Sequence, residues 1–179
     1  MGDQILKKIL NDVASLNLEE PIHELGLVGL GEPTMDKRLP EHLNIIGDYK
    51  KFFHRISLNS NLIPLKGNRV EILLNSPVNV YTFSVNSSNR IAYKEAMGKD
   101  RFDLVIDNLK SFLQRREELG NKSEVHVQVF ESDYSNLDEL MNHFPEKYDK
   151  KVNFFCRKVY SKPVIEDGAD QVNIFKPKE

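Results

Sequence analysis

Apolar residues recur every three to four positions in five segments of the chain, which is the spacing of helices with one buried face. These segments are 1–17, 40–49, 68–74, 102–120 and 135–144. The first helix carries its apolar stripe at Ile5, Ile9, Val13 and Leu16, with Leu6 and Leu10 beside it. Asp100 and Ser135 can cap the starts of the last two helices, and Gly120 can end the longer one.

Short apolar or alternating runs between these helices predict strands. The strand segments are 24–28, 55–59, 79–86, 124–130 and 152–156. Strict alternation of helix and strand favours parallel pairing through crossover connections. The predicted fold class is α/β, with about five parallel strands and the helices outside. We expect one domain over residues 1–160, followed by residues 161–179 as a tail or the start of a further element.

Three of the strands carry polar residues at alternate positions. The polar sets are Arg55, Ser57 and Asn59, then Thr82, Ser84 and Asn86, then His126 and Gln128. A parallel sheet buried on both faces would be apolar throughout. Two arrangements therefore remain open, an antiparallel sheet with one solvated face and a curved parallel sheet whose inner face lines a polar lumen. The helix-length segments between the strands favour the lumen.

The ends of the strands are the places where a β/α barrel gathers its functional residues. Those ends are 31–33, 59–61, 84–86 and 131–133, and their residues are polar, small or backbone-exposing. This pattern suits a ligand that has an amino group, a carboxylate and a ribose.

Three motifs at these strand ends resemble those of the radical S-adenosylmethionine (radical SAM) superfamily. Gly29–Thr34 resembles its glycine-glutamate-proline motif, and Ser57–Asn61 is similar to its threonine-asparagine-glycine turn. Phe83–Asn86, with Tyr93 and the segment 98–109 after it, resembles its serine-ended strand and the helix that follows. The resemblance runs from about Ile5 to about Val159 and implies a partial (β/α) barrel whose first strand is missing.

The resemblance also implies a binding site for S-adenosylmethionine. Its cofactor-binding residues would be Gly31, Glu32, Pro33, Ser57, Asn59, Ser84, Asn86, His126 and Gln128. Glu32 and the backbone beside it would meet the amino group of the cofactor, and Ser57, Ser84 and Asn86 would meet the ribose. His126 and Gln128 would line the lumen. The alternatives are a turn carboxylate at the start of a helix for Glu32, small inward-facing residues for the serines, and a structural role for His126. The resemblance implies no particular catalytic residue in this chain.

The iron–sulfur chemistry of the family depends on three cysteines in a loop between the first barrel strand and the first helix. This chain contains one cysteine, Cys156, which we expect to be a buried core thiol. A [4Fe-4S] cluster would therefore need a missing N-terminal segment to supply its cysteines, and no metal ligands are predicted here. We expect a fragment or a degenerate member that cannot run the radical reaction alone. The strand at 24–28 would then be an exposed sheet edge, open to self-association or a partner.

Composition narrows the remaining function classes. A chain of 179 residues with 40% hydrophobic content can bury one core. Its net charge of −2 argues against nucleic-acid binding, and no apolar run approaches the ~20 residues that span a membrane. A cytoplasmic protein is expected.

Three functions stay open. The first is a radical SAM enzyme core acting on an unknown small-molecule or peptide substrate, and the second is a non-catalytic nucleoside-binding, SAM-binding or interaction domain. The third is an unrelated phosphate-binding turn at Gly29–Gly31. That turn ranks last, because it lacks the G-x-G-x-x-G spacing and Pro33 has no backbone donor.

Overall fold

A computed structural model describes residues 2–29, 31–130, 136–148 and 151–157. Its α-helices are α1 (Asp3–Ala14), α2 (Leu39–Asp48), α3 (Asn68–Leu74), α4 (Arg90–Met97), α5 (Phe102–Glu118) and α6 (Leu137–Met141). Its strands are β1 (Ile22–Leu27), β2 (Phe53–Ser60), β3 (Val80–Asn86), β4 (Glu124–Phe130) and β5 (Asn153–Arg157). Short 3₁₀ helices lie at Pro33–Met35, Lys50–Phe52 and Glu146–Tyr148.

The five strands form one sheet in the order β1-β2-β3-β4-β5, and every neighbouring pair is parallel. The predicted α/β class is confirmed, and the antiparallel alternative is wrong. Crossovers between parallel strands are right-handed, so a sheet that grows in one direction carries its connecting helices on one face. This arrangement is consistent with part of a β/α barrel.

The core lies between that face of the sheet and the helices. Tyr81 and Phe83 of β3 stack at 6.0 Å between ring centroids, and Phe112 of α5 meets both rings edge-on. The hydroxyl of Tyr81 donates to the Leu73 carbonyl oxygen at 2.6 Å, which satisfies the polar end of a buried ring. Burial raises the pKa of Tyr81, so the hydroxyl stays protonated and remains a donor.

One of the predicted helix caps, Asp100 for α5, is wrong. Asp100 does not cap α5, because its carboxylate pairs with Arg90 at 2.6 Å while Arg101 takes the cap position without a side-chain bond. Gly120 has φ +60° just after the helix, as a helix-ending glycine should. Ser135 lies outside the described residues, and Asn136 caps α6 by accepting hydrogen bonds from two backbone N–H groups.

Helix α4 was not predicted. Asn89 caps it through the Ala92 N–H at 2.9 Å, and Gly98 ends it in the left-handed conformation. Only Ala92 and Tyr93 are buried among its eight residues, whereas Ile91 is 75% exposed. A helix with such a narrow buried face has a weak apolar periodicity in the sequence. The signals for this helix are therefore its capping residues, Asn89 and Gly98.

Two burial predictions are wrong. In α1 the buried residues are Leu6 and Leu10, while Ile5 and Ile9 of the predicted stripe are 58% and 46% exposed. The helix meets α2 through the neighbouring face, where the Tyr49 hydroxyl donates to Asn11. Cys156 is exposed because it lies on β5, a sheet edge with a neighbouring strand on one side among the described residues.

Three further predictions lie outside the described residues: the strand end at 131–133, the last residues of the domain at 158–160, and the tail at 161–179. No helix in the described part of the chain is long and apolar enough to cross a membrane.

Candidate functional site

The parallel register places the polar residues of adjacent strands in common rows. Asn59, Thr82, His126 and Asn153 are successive partners across β2 to β5. Ser84 and Gln128 are partners one row nearer the carboxyl ends of the strands. Side chains of paired residues point to the same side of a sheet, so these residues share one face, which we call the polar face. The predicted common face of polar residues is therefore confirmed for these rows.

Asn86 departs from this pattern. A bulge between Ser84 and Asn86 shifts the register, and Asn86 pairs with Val129 instead of a residue of the polar face. An extra residue in a strand breaks the alternation of its side chains. The prediction that Asn86 shares a face with Thr82 and Ser84, which assumed unbroken alternation, is therefore wrong. Asn86 has φ +69° and is only 8% exposed. Its amide nitrogen lies 3.6 Å from the Met97 sulfur, and its Oδ1 has no hydrogen-bond partner in the described structure.

The amino-terminal half of the polar face lines a cavity of about 300 Å³, the face cavity. Arg55 pairs with Glu124 at 2.9 Å, and the same carboxylate lies 3.3 Å from His126 Nε2. The other ring nitrogen of His126 is 3.1 Å from the Asn153 amide nitrogen. Both ring nitrogens of His126 thus have neighbours within the sheet, the arrangement expected of a structural histidine.

Ser57 also has a partner within the sheet. Its hydroxyl donates a short hydrogen bond to the Glu24 carboxylate of β1. Ser57 is 6% exposed and lines the face cavity together with Asn59. A ligand hydroxyl at this position would have to share Glu24 with it.

The turn that follows β1 is organised by Glu32. Its Oε1 accepts hydrogen bonds from the Thr34 N–H at 3.1 Å and the Thr34 hydroxyl at 2.5 Å. Its Oε2 accepts from the Asn61 N–H at 2.7 Å, beyond the end of β2. The carboxylate therefore caps the 3₁₀ helix at Pro33–Met35 and ties two strand ends together. This geometry is that of the turn-carboxylate alternative, and contact with a cofactor amino group stays a prediction.

Two more side chains hold the same pair of turns. Arg69 Nε donates to the Thr34 carbonyl oxygen at 3.0 Å. Asn108 of α5, which is 7% exposed, donates to the Leu62 carbonyl oxygen at 2.8 Å. Neither Arg69 nor Asn108 is among the site residues predicted from the sequence. A polar residue within the apolar face of α5 was the available signal for Asn108, because a buried amide requires partners.

Two cavities divide six of the nine predicted cofactor residues between them. Gly31, Glu32 and Pro33 line a cavity of about 560 Å³ beside β1, the edge cavity, whereas Ser57, Asn59 and His126 line the face cavity. Ser84 and Gln128 form the row between the face cavity and the strand ends, and Asn86 stands apart from them.

The cysteine content does not fit an iron–sulfur cluster. Clusters of this kind are held by several thiolates, and this chain has one cysteine, on the strand farthest from β1. Among the described residues, no group of three His, Cys, Asp or Glu side chains is placed to hold a metal ion. No chemical step can be assigned to a cluster held by this chain alone.

Comparison with solved structures shows a shared fold. The chain superimposes on SuiB of Streptococcus suis bound to S-adenosylmethionine with TM-score 0.63 at 20% identity, covering 87% of this chain and 33% of that one. SuiB bound to the precursor peptide SuiA matches with TM-score 0.60 at 20% identity, covering 84% and 31%. A further SuiB structure matches with TM-score 0.51 at 18% identity, covering 84% and 42%.

At these identities the matches show that the chain shares the fold of this part of SuiB. The chain spans between about a third and about two fifths of the length of the SuiB chains it matches. No family model and no curated protein matches the sequence.

Proposed function

We propose that this chain is the strand-and-helix part of a radical SAM-type barrel. It binds S-adenosylmethionine along the carboxyl ends of its strands and depends on cysteines from outside the chain for radical chemistry. The observation that carries the proposal is the register of the polar face. The row of Asn59, Thr82 and His126 is followed, toward the carboxyl ends of the strands, by the row of Ser84 and Gln128. SuiB with S-adenosylmethionine bound supports the choice of ligand.

Three groups of residues divide the ligand between them in this proposal. The backbone at Gly31 and Pro33, with Glu32, receives the amino group, because carbonyl and carboxylate oxygens bind ammonium groups strongly. Ser84 and Gln128 meet the ribose from the polar face. Asn86 supplies an acceptor, since a buried amide oxygen without a partner gains a hydrogen bond when a ligand hydroxyl reaches it.

A peptide is the substrate class we favour for the intact protein. SuiB binds a precursor peptide, and the two folds correspond over most of this chain. The face cavity supports this choice, because its amide and hydroxyl groups can meet the polar atoms of a peptide backbone. A small-molecule substrate remains the alternative.

A non-catalytic nucleoside-binding domain is the second candidate function. The single cysteine favours it, because a chain that never acquires a cluster can still use the ribose and amino-group contacts. Reconstitution of the full-length gene product with iron and sulfide, followed by absorption spectroscopy, separates the two. A four-iron spectrum supports the enzyme, whereas its absence supports the binding domain.

Calorimetric titration of the chain with S-adenosylmethionine tests the binding site. Asn86→Gly keeps the left-handed backbone and removes the amide, so we expect affinity to fall about fivefold, the effect of one net hydrogen bond. Asn17→Gly is the matched control, because Asn17 also has a positive φ and is exposed away from the site. Absence of binding by the unmodified chain, or equal affinity of the two variants, would contradict the proposed site.

We also propose that the edge of β1 pairs with a second copy of this chain. Among the described residues β1 has β2 as its one neighbour. The exposed apolar residues nearby in the sequence are Ile5 and Ile9 on α1, and Val28 directly after β1. An unpaired strand edge with apolar neighbours is a site of association.

A further inference from the structure

A third cavity, of about 320 Å³, lies between the turn after β1 and helix α3, and we call it the basic cavity. Its charged lining residues are Asp36, Lys37, Lys66 and Arg69. Three are cationic and one is acidic, in a chain whose net charge is −2. Positive charge is therefore concentrated here against the overall balance of the molecule.

The three cations lack acidic partners in the described structure, since no carboxylate there lies within ion-pair distance of them. Arg38, Arg55, Arg90 and Arg115, in contrast, each pair with a carboxylate. The carboxylate of Asp36 is engaged elsewhere. One of its oxygens accepts from the Arg38 N–H, and the other lies 3.6 Å from His42 Nδ1.

The guanidinium group of Arg69 is anchored by one hydrogen bond and has further donors available for a ligand. Its Nε donates to the Thr34 carbonyl oxygen at 3.0 Å, which leaves the four N–H groups on its two terminal nitrogens. A guanidinium anchored in this way loses less freedom when it binds a planar carboxylate through two parallel hydrogen bonds. Lysine side chains at the rim add charge without fixed geometry.

The remaining lining is apolar and places a second requirement on the ligand. Leu39 and Leu73 are buried in the floor, with Pro40 and Ile72 partly buried, and Met35 is 68% exposed at the rim. A ligand with a carboxylate beside an aliphatic group satisfies both parts of the cavity. Inorganic anions would leave the apolar part in contact with water.

We propose that the basic cavity binds an acidic segment of a peptide, with a Glu or Asp side chain on Arg69 and a neighbouring aliphatic side chain on the floor. This inference rests on the proposed function, because it adds a recognition site for the peptide substrate outside the polar face. Charge complementarity selects the acidic peptide as the occupant. The cavity shares the Thr34 turn with the Glu32 cap but lies apart from Ser84 and Gln128.

Fluorescence anisotropy with two labelled peptides tests the proposal. One peptide carries Glu beside Leu in a Gly-Ser background, and the other replaces each Glu by Gln. We expect the Glu peptide to bind, and Arg69→Gln to weaken it about tenfold, the effect of losing hydrogen bonds to a charged group. The double variant Lys37→Gln/Lys66→Gln removes two charges that line the cavity and leaves the hydrogen bond from Arg69 to Thr34 intact. It should also weaken binding of the Glu peptide, and it provides the test if Arg69→Gln does not fold.

Lys110→Gln/Lys122→Gln is the matched control, because it removes two exposed charges remote from the cavity. Equal binding of the Gln peptide, equal weakening by the control, or displacement by inorganic phosphate at concentrations comparable to the peptide would overturn the proposal. Titration of the same variants with S-adenosylmethionine keeps the two proposals apart. Lys37→Gln/Lys66→Gln should leave that affinity unchanged, so loss of peptide binding with intact cofactor binding concerns the basic cavity alone.

Discussion

Leu62 has a left-handed backbone with φ +66° while its side chain is fully buried. A residue with a Cβ pays about 1–2 kcal/mol for this conformation. Burial of the leucine side chain and the hydrogen bond from Asn108 to the Leu62 carbonyl oxygen hold the turn in this state. The same turn contains Asn61, whose N–H binds Glu32, so backbone strain lies next to a candidate ligand site.

Asn108→Ala should destabilise the chain by about 1 kcal/mol, because it removes the side-chain hydrogen bond to the Leu62 carbonyl oxygen, which then accepts only from the Leu65 N–H. Urea unfolding followed by circular dichroism measures this change. Asn75→Ala is the control, since its amide donates to the Glu71 carbonyl oxygen at an exposed helix end and should change the free energy of unfolding by less than about 0.5 kcal/mol. Equal losses in the two variants would show that Asn108 does not hold the turn.

At the scale of elements, an ion cluster joins α5 to the segment before β5. Glu117 accepts hydrogen bonds from Lys147 and Lys151, and these bonds lower the pKa of its carboxyl group from 4.5 to about 2. The three side chains are partly exposed, so solvent screening keeps the contribution of each pair small. The cluster connects α5 to the segment directly before β5, the shortest strand among the described residues.

The stability of this connection should depend on pH. Because the pKa of Glu117 is lower in the folded chain, its contribution is complete above pH 4.5 and is lost as the pH falls toward about 2. The thermal midpoint of Glu117→Gln should therefore lie below that of the unmodified chain at neutral pH and converge with it in acid. Salt should reduce the difference.

Glu95→Gln removes an exposed carboxylate without a cationic partner in the described structure and serves as the control. If the difference in thermal midpoint between Glu117→Gln and the unmodified chain persists at low pH, the ion cluster is not the cause of that difference.

At the scale of the whole molecule, the sheet has two ends with different surroundings. β1 lines the edge cavity together with Leu6 of α1 and is followed by the exposed Val28, and Ile5 and Ile9 of α1 are also exposed. The side chains of β5 are partly or fully exposed and include Cys156. The combination of a strand edge with one neighbouring strand among the described residues and exposed apolar side chains is why we propose β1, and not β5, as the site of association.

Sedimentation velocity over a concentration series should show self-association that Ile5→Lys/Ile9→Lys reduces, since like charges would then face each other across the contact. Both residues are exposed, so we expect little change in stability. Ile91→Lys/Leu104→Lys is the control, because these residues are 75% and 40% exposed in another region. Unchanged association in the first variant would exclude the α1 side of this edge.

Local patterns predicted the elements well where their signals were strong. β4 was predicted with its observed limits, and α3 also begins and ends as predicted despite its short length. Helix α4 was not predicted, because its buried face is narrow. The predicted buried stripe of α1 was wrong, because Ile5 and Leu6 are both apolar and the sequence does not show which of them is buried. Period alone cannot choose between adjacent apolar faces, since the choice depends on which partner helix the segment meets.

The site shows the same division. Alternation within each strand put Ser57 on the same side as Asn59, and His126 on the same side as Gln128, because a strand turns successive side chains to opposite sides. The register between strands then put these sets and Ser84 on one face of the sheet. Tertiary structure alone decided the partners of polar side chains: Ser57 donates to Glu24, 33 residues away in the sequence, and Arg69, which is not on the polar face, donates to Thr34, 35 residues away. The bulge at Asn86 was likewise decided by pairing with β4, because register is a property of two strands together and cannot be read from one.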